Sequence, residues 1–302
     1  MQHRTTAEIV ENARRAGTVV AAFNIPYLPM MQPVVEAIRD ARSFALIAVA
    51  RLEWIKFEAG SLRAVRDEYQ RAGDERHTRL HLDHVPVIDE DDERVDYLSI
   101  LREAVRLGYD SVMVDGSRLA LEENIAATRG VVEMAHAADV PVEAELGAIM
   151  GHEEGPLPPY EEVFESGRGF TDPEEALRFV RQTGVDWLSV AVGSVHGAIS
   201  EAHKDEKKIA AKLDIEHLDR IHRAVDIPLV LHGGTGIPRH YILEAVRHGI
   251  AKINVATALR QPYERAMGEA TEKARQAAYD ATTKVLREDL EVAGTVDTVN
   301  PG

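Results

Sequence analysis

"LVLHGGTGIPRHYILEAVRHGIAKINVAT" occupies residues 229–257 and reads as one complete unit of a parallel sheet. A short apolar run (229–232) meets a turn carrying Gly233, Gly234 and Gly236. Pro238 opens the amphipathic stretch "RHYILEAVRHG", which closes on Gly249 as helices with a glycine cap do, and "KINV" (252–255) starts a second apolar run. Strand, helix and strand within about thirty residues describe a βαβ crossover.

The same alternation extends outward along the whole chain. Strands are expected at 19–24, 45–50, 79–83, 111–115, 142–146, 187–192, 229–232 and 252–255, with helical patterns such as "MQPVVEAIRDA", "YLSILREAVRLG" and "PEEALRFVRQTG" between them. That count predicts an α/β fold, a single (β/α)8 TIM barrel, with a doubly wound open sheet as the competitor. No Pro/Gly/Ser-rich linker divides the chain, so residues 1–302 read as one domain with a helical C-terminal extension from about residue 259.

Composition narrows the function. Lys plus Arg number 35 against 51 Asp plus Glu, a net charge of -16 that argues against nucleic acid or an anionic membrane as partner. Cysteine is absent, so a transition metal would have to be held by His, Asp and Glu. The N-terminal stretch has no signal-like apolar core and no run is long enough to span a bilayer, so a cytoplasmic location is the expectation.

In such a barrel the C-terminal ends of the strands share one mouth, and polar residues gather there: Asn24, Asp83, His84, Asp115, Glu145, His196, His232 and Asn254. In "HLDH" (81–84), strict strand alternation would send His81 and His84 to opposite sides, leaving His84 as the better ligand. His84, His196 and His232 follow three different strands, and three imidazoles with an open fourth position suit a catalytic zinc ion. The glycines of "HGGTGIP" and the end of the last strand, "NVAT", lie where barrels of this type commonly hold a phosphate on backbone N–H groups.

Taken in order, "AFN", "LHLDH", "SVMVDGS" with "EEN", "VEAELG", "VGSVHG", "LVLHGGTGIP" and "KINVAT" resemble the class II, zinc-dependent fructose-bisphosphate and tagatose-bisphosphate aldolases over residues 20–260. The resemblance implies a lyase that cleaves a fructose- or tagatose-bisphosphate-like ketose phosphate, through an enediolate, into dihydroxyacetone phosphate and an aldehyde. It implies that His84, His196 and His232 hold Zn2+ or another divalent ion, with Asp115 and Glu145 close by as supports or alternative ligands. Asp115 reads equally well as a cap of the following helix. The resemblance further implies that Gly197, Gly233, Gly234, Thr235, Asn254, Ala256 and Thr257, with Asn24, surround the triose phosphate, with a monovalent cation (Na+ or K+) in some members. Glu153, in the long loop 147–170, matches the family's loop base, and Asp83 its second acid/base group. A homodimer or homotetramer is the family habit.

The strings that should face the aldehyde depart from the family. "IPYLP" (25–29) and "ARLEWIKFEAG" (50–60) replace the Asn-rich and Ser/Gly-containing ones, and an acidic insertion spans 87–95. Arg51 reads either as a grip on an acceptor phosphate or carboxylate or as a surface cation. A ketose-phosphate aldolase with another acceptor, a metal-dependent hydrolase or epimerase, and a non-catalytic subunit on the same barrel are the alternatives.

Overall fold

β-Branched and apolar runs form the strands β1 (Val20–Asn24), β2 (Ala45–Ala50), β3 (Thr78–Pro86), β4 (Ser111–Asp115), β5 (Val142–Leu146), β6 (Trp187–Val190), β7 (Leu229–Leu231) and β8 (Ile250–Val255) of a computed structural model that describes residues 4–147, 160–194 and 211–302. Each strand pairs in parallel with the next, and β8 returns to β1 with Val20 opposite Lys252 and Phe23 opposite Val255. Closure excludes the open sheet: the fold is the eight-stranded TIM barrel that the sequence rhythm predicts.

The helices are α1 (Thr6–Ala16), α2 (Met31–Asp40), α3 (Arg51–Ile55), α4 (Leu62–Ala72), α5 (Tyr97–Leu107), α6 (Leu121–His136), α7 (Tyr160–Ser166), α8 (Pro173–Thr183), α9 (Ile215–Ala224), α10 (Arg239–Arg247), α11 (Thr257–Met267), α12 (Thr271–Lys284) and α13 (Val296–Val299). The C-terminal helical segment thus begins directly after β8, and α12 lies against α11 and α2. None of the described helices is long and apolar enough to cross a membrane.

Side chains that alternate inward along the strands are sorted by depth. At one end α1 closes the barrel: Ile9 and Ala13 pack with Val20, Ala22, Leu46, Ala48, Val296 and Val299, while Val10 packs with Trp187, Val230 and Ala251. Thr5 and Glu8 start this helix with a reciprocal capping box, and Gly17 ends it in the left-handed region (φ 63).

One layer nearer the other end the interior becomes charged. Lys252, wholly buried, places Nζ 2.8 Å from Glu143 Oε2 and donates to Asn254 Oδ1 at 2.6 Å. Trp187 Nε1 donates to the same carboxylate at 2.5 Å. A charge buried this deeply is tolerable only when paired and hydrogen-bonded, and each member of this group is both.

Candidate active site

The site starts from an irregularity in β3. Leu82 pairs with Val112 and Val85 with Val114, so Asp83 and His84 together oppose the single residue Met113. His84 sits at φ 40, and its backbone N–H, displaced from the ladder, points at Met113 Sδ 3.4 Å away. A bulge of this kind re-aims side chains. His81 and Asp83 face inward by ordinary alternation, and the bulge turns His84 inward as well, contrary to the strict alternation expected from the sequence. They still serve different groups, because His81 lies a layer deeper, on Ser111 Oγ at 2.9 Å.

His84 meets His232, which follows β7: His84 Nε2 and His232 Nδ1 are 2.8 Å apart. Glu145 Oε2 lies 4.0 Å from the first nitrogen and 3.7 Å from the second, so two imidazoles and a carboxylate offer donor atoms to one point. The other nitrogen of each ring is held by a carboxylate. His84 Nδ1 is 3.4 Å from Asp115 Oδ2, and His232 Nε2 is 2.8 Å from Glu143 Oε1. Such partners fix the ring orientation and turn the remaining nitrogen toward a metal. The donor set, N and O only, therefore fits a divalent transition ion.

Electrostatics point the same way. Burial opposes a charged His84, but the hydrogen bond to Asp115 and the charges of Glu145 and Asp83 outweigh it and push its pKa up to about 10. Burial lowers that of His232, and the neighbouring His84 adds to this against the pull of Glu143. Glu145 is pushed well above the carboxylate range, first by burial and then by Asp115. At His84 and Glu145 the surroundings thus favour positive over negative charge, while His232 is kept neutral, the form that binds a metal.

Asp83 sits beside this point, 2% exposed, with Asn24 Nδ2 donating to Oδ2 at 3.0 Å and Asn254 Nδ2 to Oδ1 at 2.8 Å. Burial would raise its pKa, but His81, Lys252 and the two mouth histidines outweigh burial and hold it well below the usual range. It is a fixed, ionised carboxylate.

Gly233, Thr235, Ala256 and Thr257 line the same cavity as Asn24, Asp83, His84 and His232, with Thr257 at the first turn of α11. Gly233 takes φ 70, a turn that suits glycine. Gly234 does not line the cavity: a Cβ there would come within 2.7 Å of Ile253 Cγ2, so this glycine lets the loop pack on β8.

The sequence profile of the family described as fructose-bisphosphate aldolase class II matches residues 4–298. The chain belongs to the class II fructose-bisphosphate aldolase family. It is similar to the YdjI aldolase of Escherichia coli K12 (26% identity, TM-score 0.74, 97% of this chain and 99% of that one). A candidate fructose-1,6-biphosphate aldolase of Coccidioides immitis gives 26% identity and a TM-score of 0.77 over 98% and 99%. The fructose-bisphosphate aldolase of Campylobacter jejuni shares the fold at 20% identity and a TM-score of 0.70 over 95% and 94%. Members of this aldolase family are lyases that act on sugar phosphates and typically depend on a metal.

Of the expected aldolase residues, Asn24, Asp83, His84, Asp115, Glu145, His232, Gly233, Thr235, Asn254, Ala256 and Thr257 converge on the mouth. Glu153, His196 and Gly197 lie outside the described residues. Two acids were not anticipated. Glu143 is signalled by "VEAEL", where a period of two puts it on the same face as Glu145, one layer down. Glu53 sits on α3 at the mouth, 7% exposed, with Oε2 accepting from Ala50 N at 2.7 Å.

Proposed function

We propose that the protein is a zinc-dependent class II aldolase that reversibly cleaves a ketose phosphate into dihydroxyacetone phosphate and an aldehyde. The observation that carries this reading is the convergence of His84 Nε2, His232 Nδ1 and Glu145 Oε2 beside the ionised, doubly anchored Asp83. His84 and His232, with His196 as the family's third imidazole, would hold the ion. When bound, the metal acts as a Lewis acid for the negative charge that develops on the carbonyl oxygen.

The chain's own groups do the rest. Asp83 accepts the proton of the hydroxyl on the carbon that becomes the aldehyde, and returns it in the reverse direction; Asn24 and Asn254 fix its two oxygens so that no reorientation is needed. Glu153 is the group we assign to proton transfer at carbon. The loop with Gly233 and Thr235, and Thr257 at the start of α11, would receive the triose phosphate on backbone and hydroxyl donors. Lys252 takes no part as a Schiff base, since its Nζ is committed to Glu143 and Asn254 beneath the site.

The test is release of dihydroxyacetone phosphate from a panel of ketose 1-phosphates and bisphosphates, with zinc and with chelator. Zinc-dependent release, lost in His84→Ala and Asp83→Ala, is the expected outcome. Absence of release across the zinc-loaded panel would sink the proposal.

A further inference from the structure

We propose that the aldehyde half of the substrate is an unphosphorylated hydroxyaldehyde, so that the substrate is a ketose 1-phosphate, and that Glu53 is the specificity-determining residue that binds its hydroxyls. This rests on the aldolase reading above and concerns only the part of the cavity that the triose phosphate does not need.

The cavity wall beyond Asp83 is built from the segments that depart from the family: α3 and the acidic insertion after β3. Arginines line it, as a second phosphate would require, but each is already engaged within the chain. Arg51 Nη1 lies 3.3 Å from Asp89 Oδ2. Arg118 pairs with Asp92 at 3.0 Å and donates to the Asp89 carbonyl. Arg260 holds Glu264 through both carboxylate oxygens, at 2.7 and 2.8 Å, and lies over the Phe57 ring.

Asp89 is not free to yield Arg51. It is 8% exposed, and its second oxygen accepts from the backbone N–H groups of Asp91 (3.2 Å) and Glu93 (3.0 Å), which pin the carboxylate in place. Glu90 and Glu53 line the same wall. A phosphate dianion would have to break an existing ion pair while coming up against the Asp89 and Glu90 carboxylates, and both costs are absent for a hydroxyl.

Glu53 supplies what a hydroxyl needs. Besides the bond from Ala50, its carboxyl lies on the same cavity wall as Asn24, whose amide holds Asp83, so it sits one residue away from the proposed acid/base group. Burial first, and then the charge of Asp83, push its pKa up to about 8. At neutral pH it is mostly a neutral carboxylic acid with one O–H to donate and oxygens to accept, the pairing that a sugar hydroxyl satisfies and a phosphate does not.

The experiment uses the zinc-loaded full chain and has two arms. The first follows exchange of solvent deuterium into dihydroxyacetone phosphate, which reads the triose half alone. The second compares kcat/KM for fructose 1-phosphate and tagatose 1-phosphate with their 1,6-bisphosphates. We expect exchange, and a preference for the better 1-phosphate of about tenfold or more. Glu53→Ala should raise KM for that substrate by about tenfold with a smaller change in kcat, and Glu53→Gln, which keeps a donor and an acceptor, should recover most of it.

Exchange accompanied by an equal or greater preference for a bisphosphate, or by no turnover of either 1-phosphate, overturns the inference and leaves the aldolase reading standing. No exchange at all removes both. A Gln variant as impaired as the Ala variant, or an unchanged KM in Glu53→Ala, overturns the role given to Glu53.

Discussion

His84 reaches the mouth through one backbone irregularity, and its orientation then depends on Asp115, 3.4 Å from Nδ1. Asp115 is itself held by Ser117 N at 2.9 Å and would stay in place as an amide. Asp115→Asn should weaken zinc binding by about 10- to 100-fold with the fold intact, since it removes the charge that orients and enriches the imidazole. Competition with a chromophoric chelator measures this, and unchanged affinity would show that the contact is incidental. Glu53 gives a second prediction. Its folded pKa of about 8 stands above the ordinary 4.5, so the folded chain binds that proton more tightly than the unfolded chain. The stabilisation is complete below about pH 4.5 and is lost as pH rises toward 8. Glu53→Gln keeps an oxygen for Ala50 N and cannot ionise. Its Tm should match the wild type near pH 5 and exceed it by roughly several degrees at pH 8; a gap that does not widen with pH would mean that Glu53 ionises as it would in water.

At the scale of elements, the strands were legible because burial on both faces leaves only short apolar runs bounded by turns, and all eight runs became strands, those at 45–50, 111–115 and 142–146 with the expected ends and the rest shifted by one to three residues. What hid was local. The five residues of α3 are too few to show a period, and the bulge in β3 depends on pairing with β4 that no single strand displays. The candidate site was legible where a polar residue closes an apolar run, as with Asp83 and His232, and illegible where it sits a layer down, as with Glu143, or on a short helix, as with Glu53. Helix α1 stands outside the strand–helix alternation read from the sequence, although its signals are explicit: a Thr5–Glu8 capping box and an Ile9, Val10 and Ala13 stripe. It precedes the first strand, so the βα rhythm gives no reason to look for it. Its role as the floor of the barrel predicts that Ile9→Ala costs about 2–5 kcal/mol in urea unfolding, because the cavity opens against Val20, Ala22 and Leu46 with little room to relax, while KM for the ketose phosphate stays as it was. A loss below about 0.5 kcal/mol would mean that α1 merely lies on the barrel rather than closing it.

Across the whole molecule, negative charge is concentrated where the work is done. In a chain of net charge -16, Asp83 and Asp115 face one mouth with Glu145 beside the imidazoles, and Glu143 lies a layer beneath, paired with Lys252. A divalent ion bound by His84 and His232 would offset that repulsion only in the folded state, because the two rings come from strands far apart in sequence and meet through barrel closure alone. Binding and folding are therefore linked: at a zinc concentration of about 100 times Kd, the folded state gains roughly 2.7 kcal/mol. Removing metal with a chelator should lower Tm by roughly 5 °C and abolish turnover without unfolding the chain at 25 °C, and zinc should restore both. Circular dichroism melts and triose phosphate release, taken on the same samples, check this. Turnover lost with Tm unmoved would place the metal somewhere other than between the two imidazoles. A Tm that falls while turnover persists would make the ion structural, and the Lewis-acid role would have to be abandoned.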